Sequence, residues 1–159
     1  HTEYSGVKQE YLDPQTNERF IPYIIESTYG LDRSVLAFLF EAYQKETLED
    51  GTEREVLKLH PFLSPYKVTV LPLVKKIHGE KAKEISTKLS KSFMTMYDDS
   101  GSIGKRYRRA DAIGTPFCIT IDDNTLNNNT VTLRDRDTME QITLNLDEVE
   151  EYVTKRVKF

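Results

Sequence analysis

The sequence has one cysteine, Cys118, so it can form no internal disulfide, and a lone thiol builds no zinc site. A small core hydrophobe in a strand is the role expected of Cys118, and a reducing cytoplasm the expected compartment. No apolar run approaches the roughly 18 residues that a membrane span requires, and the start of the chain does not resemble a secretory signal. A secreted or membrane role is therefore not expected. No glycine-rich loop cradles a phosphate, no metal-ligand spacing is visible, and no repeat or low-complexity segment occurs. Charge of one sign does not dominate either: the formal net charge is -4, which by itself argues against general nucleic-acid binding.

The 159 residues are 38% apolar and 30% charged, enough to bury a core. Charge is uneven along the chain. Residues 1–56 hold 5 basic against 12 acidic side chains, whereas residues 57–159 hold 17 against 14. Such asymmetry suits a compact module with a local anionic partner.

The opening residues, 1–14, show no sustained period, lack an initiator methionine and read as the interior of something longer. Arg19 to Glu26 is β-branched and aromatic, so it is expected to be a strand, with Pro22 at an edge or bulge. Ser27 to Gly30 supplies a turn. A helix is then expected over Leu31 to Lys45, apolar on both sides, which demands burial between two layers. Glu46 to Glu55 is acidic and polar around Gly51 and reads as a linker, so two domains are expected, 1–55 and 56–159. Beyond it the pattern predicts strands at Tyr66–Leu73, Phe93–Tyr97, Phe117–Ile121, Thr130–Leu133 and Gln141–Leu146. Helices are expected at Glu80–Lys91 and Ser102–Ile113, with a last helix capped by Asn145 or Asp147. The run Asn127–Asn129 reads as a turn. Alternation followed by closely spaced strands implies an α/β fold: parallel strands, then an antiparallel meander, giving a mixed five-stranded sheet flanked by helices.

Two segments carry candidate chemistry. In Glu26-Ser-Thr-Tyr-Gly30-Leu-Asp-Arg33 a strand end delivers a carboxylate and a hydroxyl. Arg33 sits in a first helical turn, where the dipole disfavours a cation, so it asks for an anion or pairs with Glu26 or Asp32. In Lys105-Arg106-Tyr107-Arg108-Arg109 four cations within five positions repel unless solvated or met by an anion; they form either a solvated face or a phosphate-binding one. Arg134, Asp135, Arg136 and Asp137 alternate in sign at a strand end. They pair locally or read bases, since arginine donates to base acceptors and aspartate accepts from a cytosine amino group. Asp111 and Thr115 are near neighbours of the basic run in sequence. His60 and His78, beside proline or glycine, read as ordinary surface or turn residues. Phe93, Met94, Met96 and Tyr97 read as strand core.

The segment Ile24-Ile-Glu-Ser-Thr-Tyr-Gly-Leu-Asp-Arg33 resembles motif 3 of class II aminoacyl-tRNA synthetases in the glycyl form, and His1-Thr-Glu-Tyr-Ser-Gly6 resembles its lead-in. The likeness continues through Leu59-His-Pro61, Lys67–Lys75, Ser102–Phe117 and Thr130–Gln141, and so covers nearly the whole chain. It implies that residues 1–55 are a strand-turn-helix remnant of an antiparallel catalytic domain and that 56–159 form the anticodon-binding fold. By that resemblance Arg33 holds the ATP phosphates, Glu26 fixes the substrate, and Thr28 and Gly30 line the glycine site. Threonine stands at position 28 where the family has serine, and its extra methyl crowds a pocket for glycine. Anticodon contacts are expected from Arg108, Arg109, Asp111, Thr115, Arg134, Asp135 and Arg136. The implied reaction is ATP-dependent attachment of glycine to its tRNA by a full-length, homodimeric enzyme, with ATP and Mg2+ as its substrate complex. Motifs 1 and 2 have no counterpart here, so the chain alone is expected to be inactive and to carry no cofactor. Two other readings compete: a related synthetase for histidine, proline or threonine, and a non-catalytic RNA- or DNA-binding accessory module of the same fold.

Overall fold

A computed structural model describes residues 1–158. The chain divides into two compact units, His1–Ser34 and the remainder from Val35.

The first unit is small and open. A short helix α1 (Thr2–Ser5) ends at Gly6, whose φ of 69° places it in the left-handed region. Strands β1 (Tyr11–Leu12) and β2 (Arg19–Phe20) pair antiparallel, and the Tyr11 and Phe20 rings meet edge to face at 5.7 Å. The expected strand over Arg19–Glu26 is confined to its first two residues. A strand exists only where a neighbour completes its ladder, and Tyr11–Leu12 is too short to continue it. Ile21, Tyr23, Ile24 and Ile25 consequently stand exposed. Helix α2 (Leu31–Ala42) follows and buries only Ala42, leaving Leu31, Val35, Leu36, Phe38 and Phe40 in the open. Its two-sided apolar character finds no second layer among the described residues.

The second unit contains the core. Strands β3 (Tyr43–Thr47) and β4 (Glu53–Leu57) form an antiparallel hairpin where composition suggests a linker. Its turn is held by Asp50, whose Oδ1 accepts from the Thr52 amide at 2.9 Å and hydroxyl at 2.6 Å, and by Gly51 at φ 78°. Arg54 and Val56 alternate inward along β4.

The main sheet is built from β5 (Val68–Pro72), β6 (Thr95–Tyr97), β7 (Phe117–Ile121), β8 (Thr130–Asp135) and β9 (Gln141–Asn145), in the order β6-β5-β7-β8-β9. The first three strands are parallel and the last two add antiparallel, as the spacing of elements implies. Helix α3 (Lys75–Leu89) and helix α6 (Val149–Arg156) cover one face, where Ala82, Ile85, Leu89, Val149 and Val153 pack on Val68, Val70, Phe117 and Ile119. On the other face lies α4 (Ile103–Ala112), whose Ala110 packs with Leu71 and Cys118, flanked by Ile103 and Tyr107. Each such side chain removed from water stabilises the fold by about 1.5–3 kcal/mol.

Helix α3 begins five residues earlier than the apolar period suggests. His78, expected at the surface, is buried. Its Nδ1 accepts from the Val74 amide at 3.0 Å, satisfying a free N–H of the helix start, and its Nε2 faces Asp123 Oδ1 at 3.1 Å. The asparagine run is likewise not a turn: it ends helix α5 (Asp123–Asn128), which a capping box of Asp122 and Thr125 nucleates and left-handed Asn129 terminates. Among the described residues no helix is long and apolar enough to cross a membrane.

Candidate nucleic-acid interface

Helix α4 sorts its four cations by face. Tyr107 turns toward the sheet and shares a hydrogen bond with the Thr120 hydroxyl at 2.6 Å. Arg106 is buried on another side and donates to the carbonyls of Pro72 and Gly101. Lys105, Arg108 and Arg109 reach the surface. Arg109 is tethered there: Nε and Nη2 donate to Asp98 Oδ2 at 2.9 and 2.6 Å, and Nη2 also to the Ser100 carbonyl. Arg108, with its side chain 40% exposed, has its nearest carboxylate, Asp111 Oδ2, at 3.8 Å, too long for a hydrogen bond.

Asp111, one turn on along the buried side of α4, is fully inaccessible. Its two oxygens accept a fork from Arg134 of β8, Nη1 to Oδ1 at 2.8 Å and Nη2 to Oδ2 at 3.1 Å. Arg54 Nη1 donates to the same Oδ2 at 3.2 Å and to the Arg136 carbonyl at 3.0 Å, while its Nε donates to Glu46 at 2.6 Å. The Arg134 guanidinium also lies 4.9 Å from the centre of the Tyr107 ring, within range of a cation–π contact. Lys58, at 2.5 Å, and then Arg54 hold the Glu46 carboxyl below its ordinary range against the opposing effect of burial.

Tyr107, Arg108, Arg109 and Arg134 thus converge with Lys105 and Gln141 around an open depression of about 640 Å³. The remaining candidates lie differently. Arg136 is only 2% exposed, and its guanidinium is shared between Asp137 and the carbonyls of Gly114 and Leu59. Gly114 must be glycine here, because at φ +80° an added Cβ would stand 3.0 Å from the Leu57 carbonyl. Asp135 caps the β8–β9 turn by accepting from the amides of Asp137 and Thr138. Thr115 is buried, with no partner for its hydroxyl among the described residues. Sequence reasoning passed over Arg54 and Gln141. Alternation of Arg54 with Val56 is the one signal that pointed to the first.

In the other unit, the Thr28 hydroxyl donates to Glu26 Oε1 at 3.1 Å, and the Gly30 carbonyl accepts from the Ser34 amide and hydroxyl, both at 3.0 Å. Glu26, Thr28, Gly30 and Arg33 are all exposed. No group of three or more His, Cys, Asp or Glu that could hold a metal occurs among the described residues.

Cations and an aromatic ring thus share one open depression beside the antiparallel end of a doubly covered mixed sheet. The chain belongs to the anticodon binding domain family, which it matches over residues 67–156. Along its whole length it is 54% identical to the glycine--tRNA ligase of Clostridium tetani and 55% identical to that of Geobacillus thermodenitrificans, covering 34% of each of those proteins. It therefore spans about a third of the length of these relatives. Among solved structures, the RNA binding domain of threonyl-tRNA synthetase from Cryptosporidium parvum superimposes with a TM-score of 0.58 at 30% identity, covering 62% of this chain and 25% of that one.

Proposed function

We propose that this chain is the anticodon-reading part of a glycine--tRNA ligase and contacts the anticodon loop of glycine tRNA through the depression between α4 and the β8–β9 end of the sheet. The observation that carries this reading is the convergence of Arg108, Arg109, Arg134, Tyr107 and Gln141 around one open concavity of about 640 Å³ in an anticodon-binding domain. The exposed guanidinium groups there meet phosphates, while Gln141 offers a donor and an acceptor to base edges and Arg134, forked onto Asp111, backs the depression, the combination by which single-stranded RNA loops are read. Arg136, Asp135 and Thr115 act behind that surface, holding the β8–β9 turn and the end of α4 in place.

The segment from Glu26 to Arg33 belongs, in this proposal, to the catalytic body of a full-length, homodimeric, cytoplasmic enzyme. The exposed apolar face of α2 supports this, since so much uncovered hydrophobic surface calls for a further layer. In that body Arg33 would neutralise the phosphates of the ATP–Mg2+ substrate, and Glu26 with Thr28 and Gly30 would seat glycine. The chain alone then activates no amino acid, and glycine-dependent pyrophosphate exchange by it above a buffer blank would contradict this.

Recognition is tested by replacing Arg108, Arg109, Arg134 and Arg136 singly by alanine and titrating each variant with glycine tRNA and with anticodon-swapped tRNA at two salt concentrations. A base-reading arginine loses about 1–3 kcal/mol for the cognate loop and little for a loop already changed at that base. A phosphate-binding arginine loses equally for all and shows a shallower salt dependence. Arg136 is expected to act through stability. If all four variants bind every tRNA as the parent does, the contact lies elsewhere.

A further inference from the structure

One oxygen of the Asp111 carboxylate, Oδ2, is fully subscribed, and this bears on how Arg108 is kept available. A carboxylate oxygen offers about two acceptor sites. On Asp111 Oδ2 both are taken, by Arg134 Nη2 at 3.1 Å and Arg54 Nη1 at 3.2 Å. Arg108, three residues before Asp111 on the same helix, is the ordinary helical partner for that carboxylate, yet it is held off at 3.8 Å. The Asp50 carboxyl, exposed at the tip of the β3–β4 hairpin, is held below its ordinary range first by the Thr52 hydroxyl and amide and, as a smaller cause, by the charge of Arg108. Arg54 is 2% exposed and anchored from behind by Glu46, so it cannot leave for solvent and holds its share of Asp111 permanently.

We infer that Arg54 is a positioning residue of the RNA site: by occupying Asp111 Oδ2 from the β3–β4 hairpin, it keeps Arg108 off that carboxylate and free to meet an RNA phosphate. With Arg54 gone, one acceptor site on a buried carboxylate opens, and Arg108 closes the remaining distance to make a charge-assisted bond in a water-poor setting. An arginine drawn inward in this way is lost to the RNA. The inference rests on the proposed placement of the RNA at this depression.

The test is a double-mutant cycle between Arg54→Met and Arg108→Ala in the complete chain. Binding of a hairpin RNA carrying the anticodon stem-loop of glycine tRNA is measured at two salt concentrations, with circular dichroism melting to verify folding. Arg54→Met is expected to weaken binding about three- to fivefold for cognate and swapped loops alike, and to lower the salt slope by about one phosphate contact. Its effect should vanish when Arg108 is already alanine. Arg54→Lys, which keeps a buried cation but has a single ammonium to divide between Glu46 and Asp111, should show a smaller loss of the same kind, and it decides the matter should Arg54→Met fail to fold. Parent-like binding by a folded Arg54 variant, or a loss that persists undiminished in the Arg108→Ala background, overturns the inference while leaving the RNA site standing. Parent-like binding by Arg108→Ala overturns the inference, and the RNA site falls with it only if the Arg109, Arg134 and Arg136 variants also bind as the parent does.

Discussion

At the scale of single residues, the side chains around Asp111 divide between structure and recognition according to how deeply they are buried. Arg136 spends its guanidinium on two carbonyls and Asp137, and Arg54 spends its own on Glu46, Asp111 and a carbonyl. Both are only 2% exposed, which leaves neither within reach of a ligand. Arg108 makes no short bond to a carboxylate and keeps 40% of its side chain exposed, whereas Arg134, 5% exposed with its fork on Asp111, only backs the depression. Glu46 links this network to Lys58, and both cations lower its pKa, with Lys58 the larger cause. For a carboxyl whose folded pKa is depressed, the stabilisation is fully present above the unfolded value near 4.5 and is lost as pH falls through the folded value. Glu46→Gln should accordingly cost about 1–2 kcal/mol at pH 7, where charge-assisted hydrogen bonds are lost. That difference should shrink on acidification below about pH 4.5, where Glu46 of the unfolded chain takes up a proton before that of the folded protein does. Urea denaturation at pH 7 and pH 3.5 measures it; a difference that stays constant between the two would mean that the ion pair contributes nothing.

At the scale of elements, legibility followed the range of the forces involved. β5, β7 and α4 lie where apolar periodicity and the Gly114–Pro116 stop signal put them, because burial on two faces leaves an unbroken apolar run and burial on one leaves a helical stripe. The strand expected over Arg19–Glu26 shrank to two residues, since propensity cannot supply a missing ladder partner. The β3–β4 hairpin was hidden because its inward positions include Arg54, whose burial makes sense only once Glu46 and Asp111 are in place from 8 residues upstream and 57 residues downstream. The first turn of α3 escaped notice for a similar reason: its cap is the His78 ring, four residues inside the helix. The candidate site was half legible. The basic run on α4 and the Arg-Asp alternation at the end of β8 come together at one corner of the fold, whereas the division of those arginines between buried anchor and open surface depends on contacts 20 and more residues apart, which sequence spacing does not encode.

At the scale of the whole molecule, a chain that is net acidic can still serve an anionic partner, because the relevant quantity is the local field. Arg108, Arg109 and Lys105 cluster on one side of α4, and Arg134 joins them from β8, while acidic residues concentrate in the first 56 positions. The exposed apolar side chains of Tyr23, Ile24, Ile25, Phe38 and Phe40 accord with a role inside a larger enzyme. The central claim is that this chain reads an anticodon loop at that basic corner. The most direct measurement is the affinity of the chain for a glycine tRNA anticodon stem-loop hairpin set against the same hairpin with the anticodon bases exchanged, at fixed salt and with the stem unchanged. Tighter binding of the cognate hairpin by about tenfold or more, as expected where at least one base edge is read, is the predicted result; equal affinity for the two hairpins would contradict the account.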